Sequence, residues 1–266
     1  MATGNGAQIG LSKLGSLYSD VNTVNIWANF VSESLEHTLE ELEEGSINGR
    51  RDAPDSVKGL DMGKGDVVFE PNPNALSHFL KAWFGTHTAS TVTAAGSTGA
   101  NSGQFAGAAQ VWHEFLPRQA AFSDRSFLEP YNIMVYRDVG SAWLFKQSIE
   151  TTLKLNIQAA QLVKATGTFM SRTVDRIERV AAIQSLVSSG GKPWVWDMAS
   201  VEVATADTST AGLIANTEFE ALNFTFDLAH DGVPTLDGTK KYAEFTPSDF
   251  RRITIDGTLS FRDQSE

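Results

Sequence analysis

The sequence contains no cysteine, and that one absence removes disulfide bonds, thiolate metal sites and cysteine nucleophiles together. Stability must come from packing or from assembly. Positive charge is also short: 21 Lys and Arg stand against 32 Asp and Glu, giving a net charge of -11 and an isoelectric point near 4.9. Gripping nucleic acid takes a basic surface that displaces counterions, so this balance argues against a tight nucleic-acid binder but not against a wall that nucleic acid slides past. No apolar run reaches the roughly 18 residues of a spanning helix. The opening MATGNGAQIG lacks the basic and apolar segments of a secretory signal, so neither Sec export nor membrane association is expected.

What remains is 266 residues, 41% hydrophobic and 20% charged, the composition of an ordinary folded protein. One domain over residues 1–266 is expected, with long loops at about 86–110 and 188–216. The first of these loops holds no Lys, Arg, Asp or Glu, and neither can form a core alone. Loops of this length inside a compact domain need a partner to explain them.

Alternation of period two dominates the rest. FKQSIETTLKLNI (145–157) sets Ile149, Thr151, Leu153, Leu155 and Ile157 against Lys146, Ser148, Glu150, Thr152, Lys154 and Asn156. ALNFTFDLA sets Leu222, Phe224, Phe226 and Leu228 against Asn223, Thr225 and Asp227. RRITIDGTLSFR sets Ile253, Ile255, Leu259 and Phe261 against Arg252, Thr254, Asp256, Thr258 and Ser260. Such strands belong to antiparallel sheets with one face packed and one wet. Weaker strands are read at 65–70, 131–138 and 162–170.

One helix is expected, in PNPNALSHFLKAWFG. Leu76, Phe79, Leu80 and Trp83 fall at i, i+3, i+4 and i+7, Asn74 is the candidate N-cap and Gly85 the stop. This apolar stripe should lie across a sheet. SESLEHTLEELEE spaces Leu35, Leu39 and Leu42 as a helix would but follows a β-like stretch, and residues 173–187 are equally ambiguous. Residues 47–72 and 236–264 share a layout of turn, loop and strand with a Val/Leu-x-Phe pattern. The first copy runs into the helix and the second stops at Glu266, so a truncated C-terminus is expected.

Catalytic and cofactor motifs are missing. GLDMGKGD (59–66) has three residues where a phosphate loop needs four, and Gly65 where it needs Ser or Thr, so it reads as a turn before a strand. His113-Glu114 lacks the second histidine of a zinc helix, with Pro117 in its place, and the five histidines show no metal-ligand spacing. Glu40, Glu41, Glu43 and Glu44 read as a solvated face or an interface. There is no G-x-S-x-G elbow. No enzyme activity and no cofactor are expected. Six scattered tryptophans leave open a β-sandwich module that binds carbohydrate or another cell-surface ligand.

Taken in order, KGLDMGKGDVVFEPNPNALSHFLKAWFG, the run from HEFLPRQAAFSDRSFLEPYNIMVYRD through LVKATGTFMSRTV, and the closing LNFTFDLAHDGVPTLDG and RRITIDGTLSFRD resemble one known family. It is the major tail tube protein of long-tailed bacteriophages, of the non-contractile, siphophage-like kind. The likeness is one of pattern and order over most of residues 20–264, outside the two long loops. It implies a mainly β fold, an antiparallel sandwich or partial barrel with one flanking helix. It further implies stacked hexameric rings whose lumen conducts DNA, with a tape-measure protein inside and terminator and baseplate or tip proteins at the ends. Under that resemblance the lumen would be lined by Lys146, Ser148, Glu150, Thr152, Lys154, Asn223, Thr225, Asp227, Arg252, Thr254, Asp256 and Thr258. Their mixed signs predict a weakly negative to neutral bore, and the apolar faces would pack on the helix.

Overall fold

The computed structural model describes residues 7–14, 24, 26–43, 56–92, 110–117, 130–138, 140–177, 192–199, 202–204, 213–215, 219–236, 239 and 241–260. In chain order these form β1 (Gln8–Lys13), β2 (Ile26–Ala28), β3 (Ser32–Glu33), β4 (Glu36–Glu43) and β5 (Ser56–Phe69), then α1 (Pro73–Phe84). There follow β6 (Gly85–Val92), β7 (Gln110–Pro117), β8 (Tyr131–Tyr136), β9 (Ala142–Gln158) and β10 (Lys164–Ile177). After a 3-10 turn at Trp196–Met198 come β11 (Glu202–Ala204), β12 (Leu213–Ala215), β13 (Phe219–Asp227), β14 (His230–Pro234), β15 (Tyr242–Pro247) and β16 (Arg252–Leu259). The fold is mainly antiparallel β with one helix, as the alternation predicts.

The principal sheet runs β2-β1-β8-β9-β10-β5-β3, with β13 and β16 joined along β9 and β4 along β5. Among the described residues it does not close into a barrel. Its axis is β9, whose 17 residues serve two neighbours in turn on one edge. Residues 143–148 pair with β8 and residues 152–158 with β13, while β10 follows the opposite edge. The sheet therefore has two halves, one ending in β2 and β4 and the other in β16 and β3. The pairs β6-β7, β11-β12 and β14-β15 are separate two-stranded sheets.

Helix α1 covers one face of this sheet with the predicted stripe. Leu76, Phe79 and Trp83 are no more than 3% exposed, and Leu80 packs at the edge of the same core. Phe79 stacks on Phe69 at 4.0 Å and meets Phe169 edge-on at 5.9 Å. Each such burial is worth roughly 1.5–3 kcal/mol. The N-cap is Asn72 rather than Asn74: its Oδ1 accepts the Ala75 N–H at 2.8 Å, and Pro73 fills the first helical position, where no N–H is needed. Gly85 closes the helix at φ 82, in the left-handed region a side chain disfavours. Tyr131 Oη donates to the His78 carbonyl and ties α1 to β8.

Other expectations change. Leu39 and Leu42 lie on strand β4, with Leu35 just before it, because β5 offers the segment an edge from Ser56 to Lys64, and tertiary pairing decides against helical spacing. The uncharged stretch is not all loop: β6 and β7 pair in full register from Gly85↔Pro117 to Val92↔Gln110, and 93–109 lies outside the described residues. WVWDMASVEV holds a 3-10 turn followed by a strand. GLDMGKGD is not a turn but the middle of β5, and His113 and Glu114 lie on strand β7. Of residues 173–187, those to Ile177 continue β10 and the rest lie outside the described residues. The two similar segments differ in structure: the first yields one 14-residue strand, while the second divides between β15 and β16 in different sheets. The expected truncation after Glu266 lies outside the described residues.

Candidate assembly surface

Strands β10, β9, β13 and β16 lie side by side with their registers in phase, which fixes what each face presents. Directly paired residues share a face, so the pairings can be read as rows. One row is Thr168, Thr152, Asp227 and Arg252; the next is Thr166, Lys154, Thr225 and Thr254; a third is Lys164, Asn156, Asn223 and Asp256. Gln158, Ala221 and Thr258 follow. Between these rows run Gly167, Leu153, Phe226 and Ile253, then Ala165, Leu155, Phe224 and Ile255. Phe169 turns towards Phe79 of α1, so Thr168 and its polar row turn away from the helix.

Nine of the twelve residues read as lumen-lining are thus brought onto one polar face: Thr152, Lys154, Asn223, Thr225, Asp227, Arg252, Thr254, Asp256 and Thr258. Asn156 donates to Asn223 Oδ1, and Asp227 accepts the Ala229 N–H at 3.0 Å. Four further residues of this face escaped the sequence reading: Asp66, Lys164, Thr166 and Thr168. Thr168 Oγ1 donates to Asp66 Oδ1 at 2.7 Å, which links β10 to β5. The signal for Lys164, Thr166 and Thr168 was present in KATGTFM, where polar and small or apolar residues alternate. The named charges balance, with Lys154, Lys164 and Arg252 against Asp66, Asp227 and Asp256.

Lys146, Ser148 and Glu150 do not join this face. Glu150 pairs with Phe169 but Thr152 with Thr168, so Thr151 is an extra residue and the strand bulges there. A bulge reverses which face each later residue takes. Glu150 therefore shares the helix side with Leu153 and is 1% exposed. A Cβ on Gly167 would meet Glu150 Oε1 at 2.8 Å, the Phe169 ring at 3.0 Å and Phe79 at 3.1 Å. Both carboxyl oxygens are buried without a hydrogen-bond partner, and desolvation holds the group's pKa well above its ordinary 4.5. Ser148 is fully buried, sharing a 2.7 Å hydrogen bond with Ser171 and donating to the Phe145 carbonyl. Lys146 is largely covered and pairs with Asp175 at 2.6 Å. A second irregularity beside β8 places Gln147 at φ 53, so alternation fails twice within these residues.

On the apolar face, cover fades outward from β9. Leu153 is fully buried and Phe226 partly so, whereas Ile253 and Ile255 on β16 are 51% and 60% exposed. Every residue of β16 is exposed. In the other half of the sheet Leu39 and Leu42 on β4 and Val57 on β5 are exposed as well. The described tryptophan side chains form no platform: Trp27 and Trp83 are buried, Trp143 and Trp194 pack on the main core, and of these five only Trp196 is exposed.

A family profile described as "Phage tail tube protein" matches residues 4–265. The match spans nearly the whole sequence, and the chain belongs to that family. It is accordingly a structural component of a bacteriophage virion tail. No curated protein matches it. Among the described residues no helix is long and apolar enough to cross a membrane.

Proposed function

Starting from membership of the tail tube family, we propose that this chain is the repeating subunit of a hollow tail tube, built as stacked hexameric rings around a channel for DNA. The observation that carries the reading is a sheet finished on one face only. Strands β13 and β16 carry the Phe and Ile rows of a core, yet none of their residues is buried in the single chain. Side chains of this kind exposed in a contiguous patch mark a surface that other subunits cover.

The polar rows of β10, β9, β13 and β16 would then face the channel. Their balanced charges suit passage, because each phosphate neutralised by the wall adds affinity and friction. The overall charge of -11 per subunit adds a repulsive field around the ring. A tape-measure protein would occupy the channel during assembly, and terminator and baseplate proteins would cap the ends. The role is mechanical and calls for neither catalysis nor a cofactor.

Electron microscopy of the purified protein, with size-exclusion chromatography at rising concentration, tests this. Six-fold rings or hollow tubes are expected. A chain that remains monomeric even with its baseplate initiator would overturn the proposal and send attention to sugar binding.

A further inference from the structure

Among the described residues the hairpin β6-β7 pairs with no other strand, and a two-stranded hairpin is only marginally stable without further support. Its register sets His87 opposite Phe115 and Ala89 opposite His113, so the two histidines are diagonal neighbours on one face, with Phe115 between them and α1. Thr88 and Glu114 point the other way. In the sequence these histidines show no ligand spacing because 26 residues separate them, and only the hairpin brings them together.

Their contact runs through ring nitrogens. His87 Nε2 and His113 Nδ1 stand 2.9 Å apart, with the ring planes within 7° and the centroids 5.1 Å apart. Phe115 stacks on His87 at 4.7 Å and steadies that ring. His87 is half-buried and His113 exposed, so a solute reaches the pair directly.

We propose that His87 and His113 form a binding site for a divalent transition-metal ion, zinc, nickel or copper, which clips β6 to β7. Imidazole nitrogen suits these ions, whereas magnesium and calcium take oxygen ligands. Two nitrogens bonded to one ion at roughly 2.0–2.1 Å lie about 2.9 Å apart at a right angle and about 3.4 Å apart at the tetrahedral angle. The pair already stands at the short end of that range, and a turn of the two rings points both lone pairs at one ion. A proton lies between the nitrogens in the hydrogen-bonded pair. On binding, the ring that carries it moves it to its other nitrogen, so neutral rings stay neutral and no net proton is released. Among the described residues no third His, Asp or Glu completes the set, and water fills the remaining positions. His78 of α1 instead lines a small apolar cavity with Phe79, Ala82 and Tyr131. The site is independent of the tube reading, since it lies within one chain and outside the principal sheet.

Isothermal calorimetry on the full chain without a histidine tag tests this, with zinc, nickel and magnesium chlorides in turn. Zinc and nickel should each bind at one ion per chain, and magnesium should not bind. His113→Gln changes an exposed side chain and keeps the fold. It and His87→Gln should each weaken nickel binding at least about tenfold, while His78→Gln leaves it unchanged. Hydrogen exchange over 85–92 and 110–117 should slow when zinc is added to the wild type and not when it is added to His113→Gln. Absence of zinc and nickel binding would overturn the proposal. So would nickel binding that survives in His113→Gln or falls equally in His78→Gln, because the ion would then sit elsewhere. Binding that leaves exchange in the hairpin unchanged would overturn the clip.

Discussion

The part of the sheet under α1 and the part at β13 and β16 use the same alphabet of Phe, Ile and Leu to opposite ends. Beneath the helix, Phe69, Phe79, Phe169 and Leu153 are at most 2% exposed and complete a core inside one chain. Along β16, Ile253 and Ile255 stand at half exposure or more. One region supplies folding free energy to the monomer, and the other holds apolar area in reserve for assembly. Mutations should separate the two. Phe79→Ala should cost the monomer about 3–5 kcal/mol, seen as a lower urea midpoint, because the cavity opens between Phe69 and Phe169. Ile255→Asp should leave that midpoint within about 0.5 kcal/mol, as for an exposed position, yet stop ring formation in chromatography and microscopy. Equal loss of stability in both variants would erase the distinction.

The buried carboxyl of Glu150 sharpens the comparison, since it belongs to the closed region by structure and to the open face by sequence pattern. Its folded-state pKa is raised by burial, so the native state keeps a proton that the unfolded chain releases. Stability from this group is fully present below the ordinary carboxyl value of 4.5 and falls as pH rises towards the folded pKa. The fall approaches about 1.4 kcal/mol per pH unit, the value of one proton. In Glu150→Gln this contribution should vanish, because the amide carries no charge to desolvate at any pH, leaving the opposite rise with pH from His78 and His230, whose pKa values burial lowers. Urea titrations at pH 5, 6 and 7 measure this. A wild-type profile parallel to the variant's would mean that the carboxyl finds water or a partner.

Glu150 also shows where reading the sequence stops. Strand identity, the helix stripe at Leu76, Phe79 and Trp83, and the rows of β13 and β16 were all legible, since each depends on a local period that burial enforces. The extra residue at Thr151 was not. A bulge changes the face of a side chain without changing composition, and the segment 145–157 keeps its alternation in letters while losing it in space. β4 stayed undecided for a different reason: its leucines and glutamates are good helix formers, and only the distant edge of β5 makes the segment a strand. The N-cap was displaced by two residues because Asn72 and Asn74 both suit the position by type, and Pro73 at the first helical position decides between them. That assignment is itself testable. Asn72→Ala should cost about 1 kcal/mol in monomer stability, within the usual range for a lost cap, whereas Asn74→Ala should cost far less.

The smallest expected effect lies on the polar face and bears most directly on what that face is for. Lys154 is exposed, paired in register with Thr166 and Thr225 and set between carboxylate rows. Lys154→Gln removes a surface charge and no packing, so the urea midpoint should move by less than about 0.5 kcal/mol. Tubes should still form at the wild-type concentration, because a channel wall touches solvent rather than a neighbouring subunit. An apolar-face change that blocks assembly beside a polar-face change that leaves it intact would identify the two faces as contact and wall. If Lys154→Gln instead blocked assembly as Ile255→Asp should, the polar rows would be a subunit contact, and the channel would have to be lined by other elements of the chain.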